Sequence, residues 1–330
     1  MTKKRRQSDP SSGDGVLRSI EMLRVVFSYQ GGIYYDFMTL HESMTPFRRV
    51  RRGEALAQPM EDRHPDDHAL LHSILRAWFQ SHQSCSHTLF KMLGCMHYMR
   101  SLVAFYAVCD GNLPLVAQLH DVLGIGSFEG PLLDLAARHG HLHVLKFLHE
   151  HRHQGCSSTA MDAAAKYGHR EIVTFLHFHR TEGCTTDAMD DAAAGGFDDI
   201  VLFLHVFRTE GCTSAAMDRA ATAGHFDTVM TLHNTQAVCS SDAVDGAALG
   251  GHLRIVILLL LVRQERATPR ALMYAARRGD LPMVKFIYSH LRDGLSFADM
   301  KQIIDRTRDT QVLSFLGGIS LLPFSDDDED

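Results

Sequence analysis

Five histidines, His120, His149, His177, His205 and His233, each stand nine residues after a glycine in consecutive stretches of the chain. Imidazole is the commonest protein metal ligand, so a periodic column of it raises metal binding first. If each histidine sits on its own helix of a stack, neighbours are ~8–10 Å apart, whereas nitrogens sharing one zinc each lie within about 2.1 Å of it. The column is therefore expected to pack or to line a surface, with no metal bound. Cys156, Cys184, Cys212 and Cys239 recur in the same way, three of them within Gly-Cys-Ser/Thr. One step per stretch exceeds the ~4.4–6.8 Å between α-carbons that a disulfide tolerates, so small buried thiols are expected and no cross-links. Upstream, His64, His68 and His72 have helix-face spacing, with Cys85, His87, Cys95 and His97 further on. Pro65 interrupts the first pair and no Cys-x-x-Cys knuckle accompanies them, which favours surface histidines over zinc ligands. Gly124-Ile-Gly-Ser-Phe-Glu-Gly130 fits neither the dinucleotide fingerprint nor the phosphate loop. It reads as a connection. No nucleophile elbow, kinase set or zinc-protease helix is present. No catalytic residue and no cofactor are expected, and an enzyme with an appended solenoid is only the remote alternative.

The elements that carry these residues follow from a fixed internal period. Gly111, Gly140, Gly168, Gly196, Gly224, Gly251 and Gly279 are spaced 29, 28, 28, 28, 27 and 28 residues apart, and such periodicity overrides other fold signals. Four residues before each stands alanine: Ala107, Ala136, Ala164, Ala192, Ala220, Ala247 and Ala275. The next residue is valine or alanine, so a stripe of small side chains recurs, as close helix approach requires. Five residues after the glycine come Val116, Leu145, Val173, Val201, Val229, Val256 and Val284, and eight after it a leucine or, at 287, isoleucine. That is helical spacing. Each stretch is thus a helix, a glycine-marked turn, a second helix and a loop. Thr159-Ala-Met-Asp162 predicts a capping box, and Asp134, Asp162, Asp190, Asp218 and Asp245 predict an acidic first turn facing the helix dipole. The glycine is expected to end the first helix in the left-handed conformation.

One such hairpin cannot bury its own apolar face, but a stack of copies can. At 330 residues the chain is too long for one ordinary core, and 45% hydrophobic with 22% charged residues is a globular composition. A net charge of −6 argues against nucleic acid or an anionic membrane as the main partner. The longest apolar run, Ile255 to Val262, falls short of the ~20 residues a membrane span needs and reads as buried helix core. The opening residues lack a secretory pattern, so an intracellular protein with free thiols, cytoplasmic or nuclear, is expected.

Leu133-Asp-Leu-Ala-Ala-Arg-His-Gly-His-Leu-His-Val-Leu-Lys-Phe-Leu148 resembles the ankyrin repeat, with its paired alanine, Gly-His, and valine and leucine at helix spacing. The Gly-His pair returns at 168–169, 224–225 and 251–252. The resemblance spans about residues 101 to 318. It implies an all-α fold, an ankyrin-like α-solenoid of stacked helix-turn-helix repeats, preceded by an N-terminal helical region. The period is ~28 residues rather than the family's 33, which shortens the finger between repeats, and Thr159-Ala-Met-Asp162 stands where Thr-Pro-Leu-His is usual. In the family, partners lie along the concave face made by the first helices. Carried over by position, this implies a protein-interaction scaffold whose partner-binding candidates are Arg138, Lys166, Tyr167, Asp191, Arg219, Tyr274, Arg277 and Arg278. The partner is an unidentified protein, and the chain is expected to act as a monomer.

The ends divide the chain further. Residues 1–15 form a basic terminus expected to be disordered, where Lys3-Lys-Arg-Arg6 has the character of a nuclear import signal. Residues 16–100 lack the period but show helical patterns at Val16 to Tyr29 and Ala69 to Phe79. The Val16–Tyr29 stretch resembles the opening of an F-box, which implies the alternative of a substrate-recruiting adaptor of a ubiquitin ligase; a plain helical cap is the other reading. Residues 101–318 are the repeat array. Residues 319–330 end in Ser325-Asp-Asp-Asp-Glu-Asp330, an acidic tail expected to be disordered. Val312 to Leu316 suits a terminal capping repeat, with Arg308 where the glycine would stand.

Overall fold

The computed structural model describes residues 37–48, 65–81, 86–128, 130–291 and 294–320. The Lys3–Arg6 signal, the F-box-like stretch, His64, Cys85 and the acidic run lie outside them. All regular structure among the described residues is helical, the all-α repeat fold expected. The chain divides into two compact units, one of residues 1–136 with 143–155, the other of 137–142 with 156–330.

In the first unit, α1 (Met38–Ser43), α2 (Thr45–Arg48), α3 (Pro65–Ser81) and α4 (Ser86–Cys95) precede the first repeat, α5 (Met99–Cys109) and α6 (Leu113–Leu123). Leu71, Leu75, Met92, Leu93 and Met99 are fully buried, and the helical pattern of Ala69 to Phe79 falls within α3. The α3 helix packs on α5, with the Phe79 and Tyr106 rings stacked at 5.9 Å. His68 lies edge-on to Phe105, and His72 Nε2 meets Asp110 at 2.8 Å. Pro65 opens α3 instead of breaking it, since proline suits the first turn, whose N–H groups lack partners. Gly124–Gly130 joins α6 to the next helix through a 3₁₀ turn at Ile125–Ser127.

Next come α7 (Leu132–Arg138) and α8 (Leu142–Glu150), then the pairs of the second unit: α9 (Ser158–Lys166) and α10 (Arg170–His179), α11 (Thr186–Gly195) and α12 (Asp198–Phe207), α13 (Ser214–Ala223) and α14 (Phe226–Asn234), α15 (Asp242–Gly250) and α16 (Leu253–Ile257), α17 (Pro269–Arg278) and α18 (Leu281–Leu291), α19 (Phe297–Arg306) and α20 (Thr310–Ser320). First helices pack on first helices from α9 through α19, more extensively than second helices do. The alanine stripe is why. Ala164, Ala192, Ala220, Ala247 and Ala275 have no exposed surface, nor do the alanines that follow them, so the helix backbones approach closely. Val173, Val201, Val229, Val256 and Val284 and the leucines behind them fill the layer beneath.

The turn glycines have positive φ, 75° at Gly196 and 85° at Gly224. Four of them are needed for a second reason as well. The residue after the next glycine lays its side chain on them: His169 on Gly140, Phe197 on Gly168, His225 on Gly196 and His252 on Gly224. A Cβ on Gly224 would lie 2.3 Å from the His252 ring. Gly224→Ala therefore combines left-handed strain with ring displacement and is expected to cost about 2 kcal/mol. Gly94→Ala, inside α4 with open space around it, is expected to be neutral or mildly stabilising. Urea titration of the two variants checks the contrast; equal midpoints would contradict it.

Three local expectations are corrected. Thr159 does not cap its helix: Ser157 does, accepting from the Thr159 N–H at 3.2 Å. Asp162, Asp190 and Asp218 lie past the first turn of their helices and hold the next repeat, as described below. The Ile255–Val262 run is not uniformly core. Its last turn is π-helical at Leu258–Val262, which swings Leu261 and Val262 out to 53% and 56% exposure.

Candidate interaction surface

The surface nominated from sequence sits at the C-terminal ends of the first helices, beside the left-handed glycines. Arg138, Lys166, Tyr167, Arg219, Arg277 and Arg278 are exposed; Asp191 and Tyr274 are half-buried. Within the second unit several of these meet across repeats. Asp191 accepts from Lys166 Nζ at 3.0 Å and Arg219 Nη1 at 2.7 Å, so one carboxylate ties α9, α11 and α13 together. The Arg138 guanidinium lies over the Tyr167 ring at 5.9 Å, a cation–π geometry. Arg278 donates to the Leu249 carbonyl at 3.1 Å. Between these charged ends, Gly195, Thr222 and Ala223 leave a low, exposed stretch.

Beneath that surface runs a ladder that the sequence reading missed. Asp162 accepts from the Thr185 N–H at 2.8 Å and its hydroxyl at 2.9 Å. Asp190 does the same with Thr213, Asp218 with Ser240, and Asp245 takes the Thr268 hydroxyl. Thr185, Thr213, Ser240 and Thr268 in turn accept from the first N–H groups of their own helices. Each hydroxyl thus spends its donor on the previous repeat and its lone pairs on its own helix. Burial pushes the Asp162 and Asp245 carboxyls above the usual carboxylate range despite these bonds. The findable signal is a threonine or serine 22 or 23 residues after each aspartate.

The histidine and cysteine columns also acquire places. His177 lies edge-on to Phe203 at 5.5 Å and near Phe207; His120 does the same to Phe147 in the first unit. No grouping of three metal-capable side chains occurs among the described residues. The described cysteines are half-buried, not buried as expected. Arg208 pairs with Glu210, whose carboxyl it holds down at about 2, and this pair flanks Cys184. Burial raises Cys184 to about 11 and Cys239 to about 12, so neither carries appreciable thiolate at neutral pH.

A family model for ankyrin repeats, in three copies, matches residues 104–190. These are ankyrin repeats. Beyond residue 190 the ankyrin pattern continues in register through Gly196, Gly224, Gly251 and Gly279, each with its buried alanine. No curated protein matched the chain in a sequence search. Ankyrin repeats are in general protein-interaction modules, and no described helix is long and apolar enough to cross a membrane. The ankyrin array also shows apolar side chains on its second helices, Phe178, Leu202, Val206 and Phe207, each more than half exposed.

Proposed function

We propose that this chain is a protein-binding scaffold whose partner lies along the first-helix, concave side of the ankyrin array. The observation that supports it most is the exposed Tyr167 ring, backed by Arg138 and set beside the Lys166–Asp191–Arg219 network, at the end of a low stretch of small residues. Tyrosine and arginine are frequent interface anchors, and side chains already held by neighbours lose little freedom on binding.

Affinity purification of the full chain followed by mass spectrometry tests this. One stoichiometric partner is expected, with its recovery reduced at least tenfold by Tyr167→Ala combined with Arg138→Ala. These side chains are exposed, so the melting temperature should hold. Full retention of the partner by the double variant would reject this surface. A ubiquitin-ligase scaffold among the proteins recovered would favour the adaptor reading of residues 16–100.

A further inference from the structure

Several arginines of the second unit find an acid: Arg170 pairs with Asp199, Arg180 with Glu182, Arg208 with Glu210, Arg219 with Asp191, Arg263 with Glu265 and Arg270 with Asp245. Others meet neutral groups, Arg138 the Tyr167 ring, Arg254 the Phe226 ring and Arg278 the Leu249 carbonyl. Three stand together without an acid. Arg277, in the last turn of α17, Arg306, at the end of α19, and Arg308, in the connection to α20, line one open cleft of about 600 Å³ together with Asp305. None of the three has a carboxylate within 4.0 Å among the described residues; Arg306 donates only to the Met273 thioether. Helix C-termini favour cations, which accounts for Arg277 and Arg306 singly. It does not account for Arg308, which lies beyond α19.

The terminal repeat explains how the cleft arises. Arg308 replaces the turn glycine of the frame, and α19 ends at Thr307 in extended backbone (φ −86°, ψ 136°) instead of the left-handed turn. Asp309 takes the place of the ring that covers the preceding glycine, lying against Gly279, and caps α20 through the Gln311 and Val312 N–H groups. One oxygen of its carboxylate is thereby committed to that cap. Three guanidiniums are left around a recess in a chain of net charge −6.

We propose that this cleft binds a carboxylate-rich peptide segment of a protein partner. Guanidinium groups donate paired hydrogen bonds to carboxylates, and the recess is of the size that holds a ligand of several residues' side chains. Asp305 decides between peptide and phosphate. A peptide brings backbone N–H donors that can satisfy the aspartate, whereas a phosphate brings only acceptors and negative charge against it. The proposal rests on the scaffold reading and extends it by naming partner chemistry at the C-terminal end of the array.

The test is fluorescence anisotropy of a labelled octapeptide of alternating aspartate and glutamate with the full chain, at low and at physiological salt. Binding that weakens with salt is expected, reduced roughly three- to fivefold by each of Arg277→Ser, Arg306→Ser and Arg308→Ser, and roughly fiftyfold by all three. An unchanged melting temperature in the triple variant assigns the loss to the cleft. Inorganic phosphate should compete only weakly. Undiminished peptide binding by the triple variant overturns the proposal, as does phosphate competing as well as the peptide. A full-length variant with Asp326, Asp327, Asp328 and Asp330 changed to asparagine and Glu329 to glutamine separates the sources. Unchanged affinity is expected for an external partner; a marked rise would show the chain's own acidic run to be the occupant. Because the probe is synthetic, its failure leaves the Tyr167 surface untouched, and loss of the Tyr167 partner leaves this result standing.

Discussion

Ala192→Asp is expected to destabilise the array by about 5 kcal/mol or more and to unfold the repeats around it. Ala192 has no exposed surface and sits in α11, which packs on both α9 and α13. An aspartate there must carry its charge into a dry contact or protonate, and its extra atoms must also displace a neighbouring backbone. In a repeat array stability is a sum of repeat and interface terms, so one bad residue removes two interfaces. Loss should therefore be local first. Hydrogen exchange should show protection falling from α9 to α13 while α19 and α20 retain theirs. Ala223→Asp is the control, because Ala223 is exposed at the end of α13 and should change stability by no more than about 0.5 kcal/mol. Equal melting temperatures for wild type and Ala192→Asp would contradict the close-packed stripe.

What was legible in the sequence is what repeats within one helix pair. The glycine, the alanine four before it and the valine five after it are each dictated by local geometry, so their spacing alone gave the helix, turn and helix. Features that join one repeat to the next were harder to see. The Ser/Thr-x-x-Asp pattern at Thr159 looks like a capping box, yet Thr159 forms none, whereas Ser296 does, with Asp299. The difference lies in the neighbour. At Asp162, Asp190, Asp218 and Asp245 a threonine or serine of the following repeat competes for the carboxylate and takes it. At the same frame position before Ser296 stands Met273, which offers no carboxylate, so the last repeat closes its cap on itself. The surface residues were nominated by position, and the structure exposes most of them. That Asp191 is half-buried follows from its two cationic neighbours, which come from different repeats and are distant in sequence. Likewise, the exposure of Leu261 and Val262 depends on a π-helical turn that the apolar run does not announce.

The second large effect is expected from the ladder. Asp190 is 3% exposed and receives both the backbone N–H and the hydroxyl of Thr213. Asp190→Ala leaves those donors without their acceptor, and hydrogen bonds to a charged group are worth about 1.5–3 kcal/mol each. Release of a buried charge offsets part of this, so a net loss of about 2–3 kcal/mol is expected. Asp190→Asn keeps one oxygen for the N–H while its amide faces the hydroxyl, and should lose about 1 kcal/mol. Thr213→Val keeps the N–H but removes the hydroxyl that both reaches Asp190 and caps α13, for about 1–2 kcal/mol. If the pair acts as one latch between repeats, the double variant Asp190→Ala with Thr213→Val costs less than the two singles together, by about 1 kcal/mol in a double-mutant cycle. Strict additivity in urea unfolding would mean that the aspartate and the threonine stabilise their own helices separately. The interface would then rest on the alanine stripe and the buried valines alone.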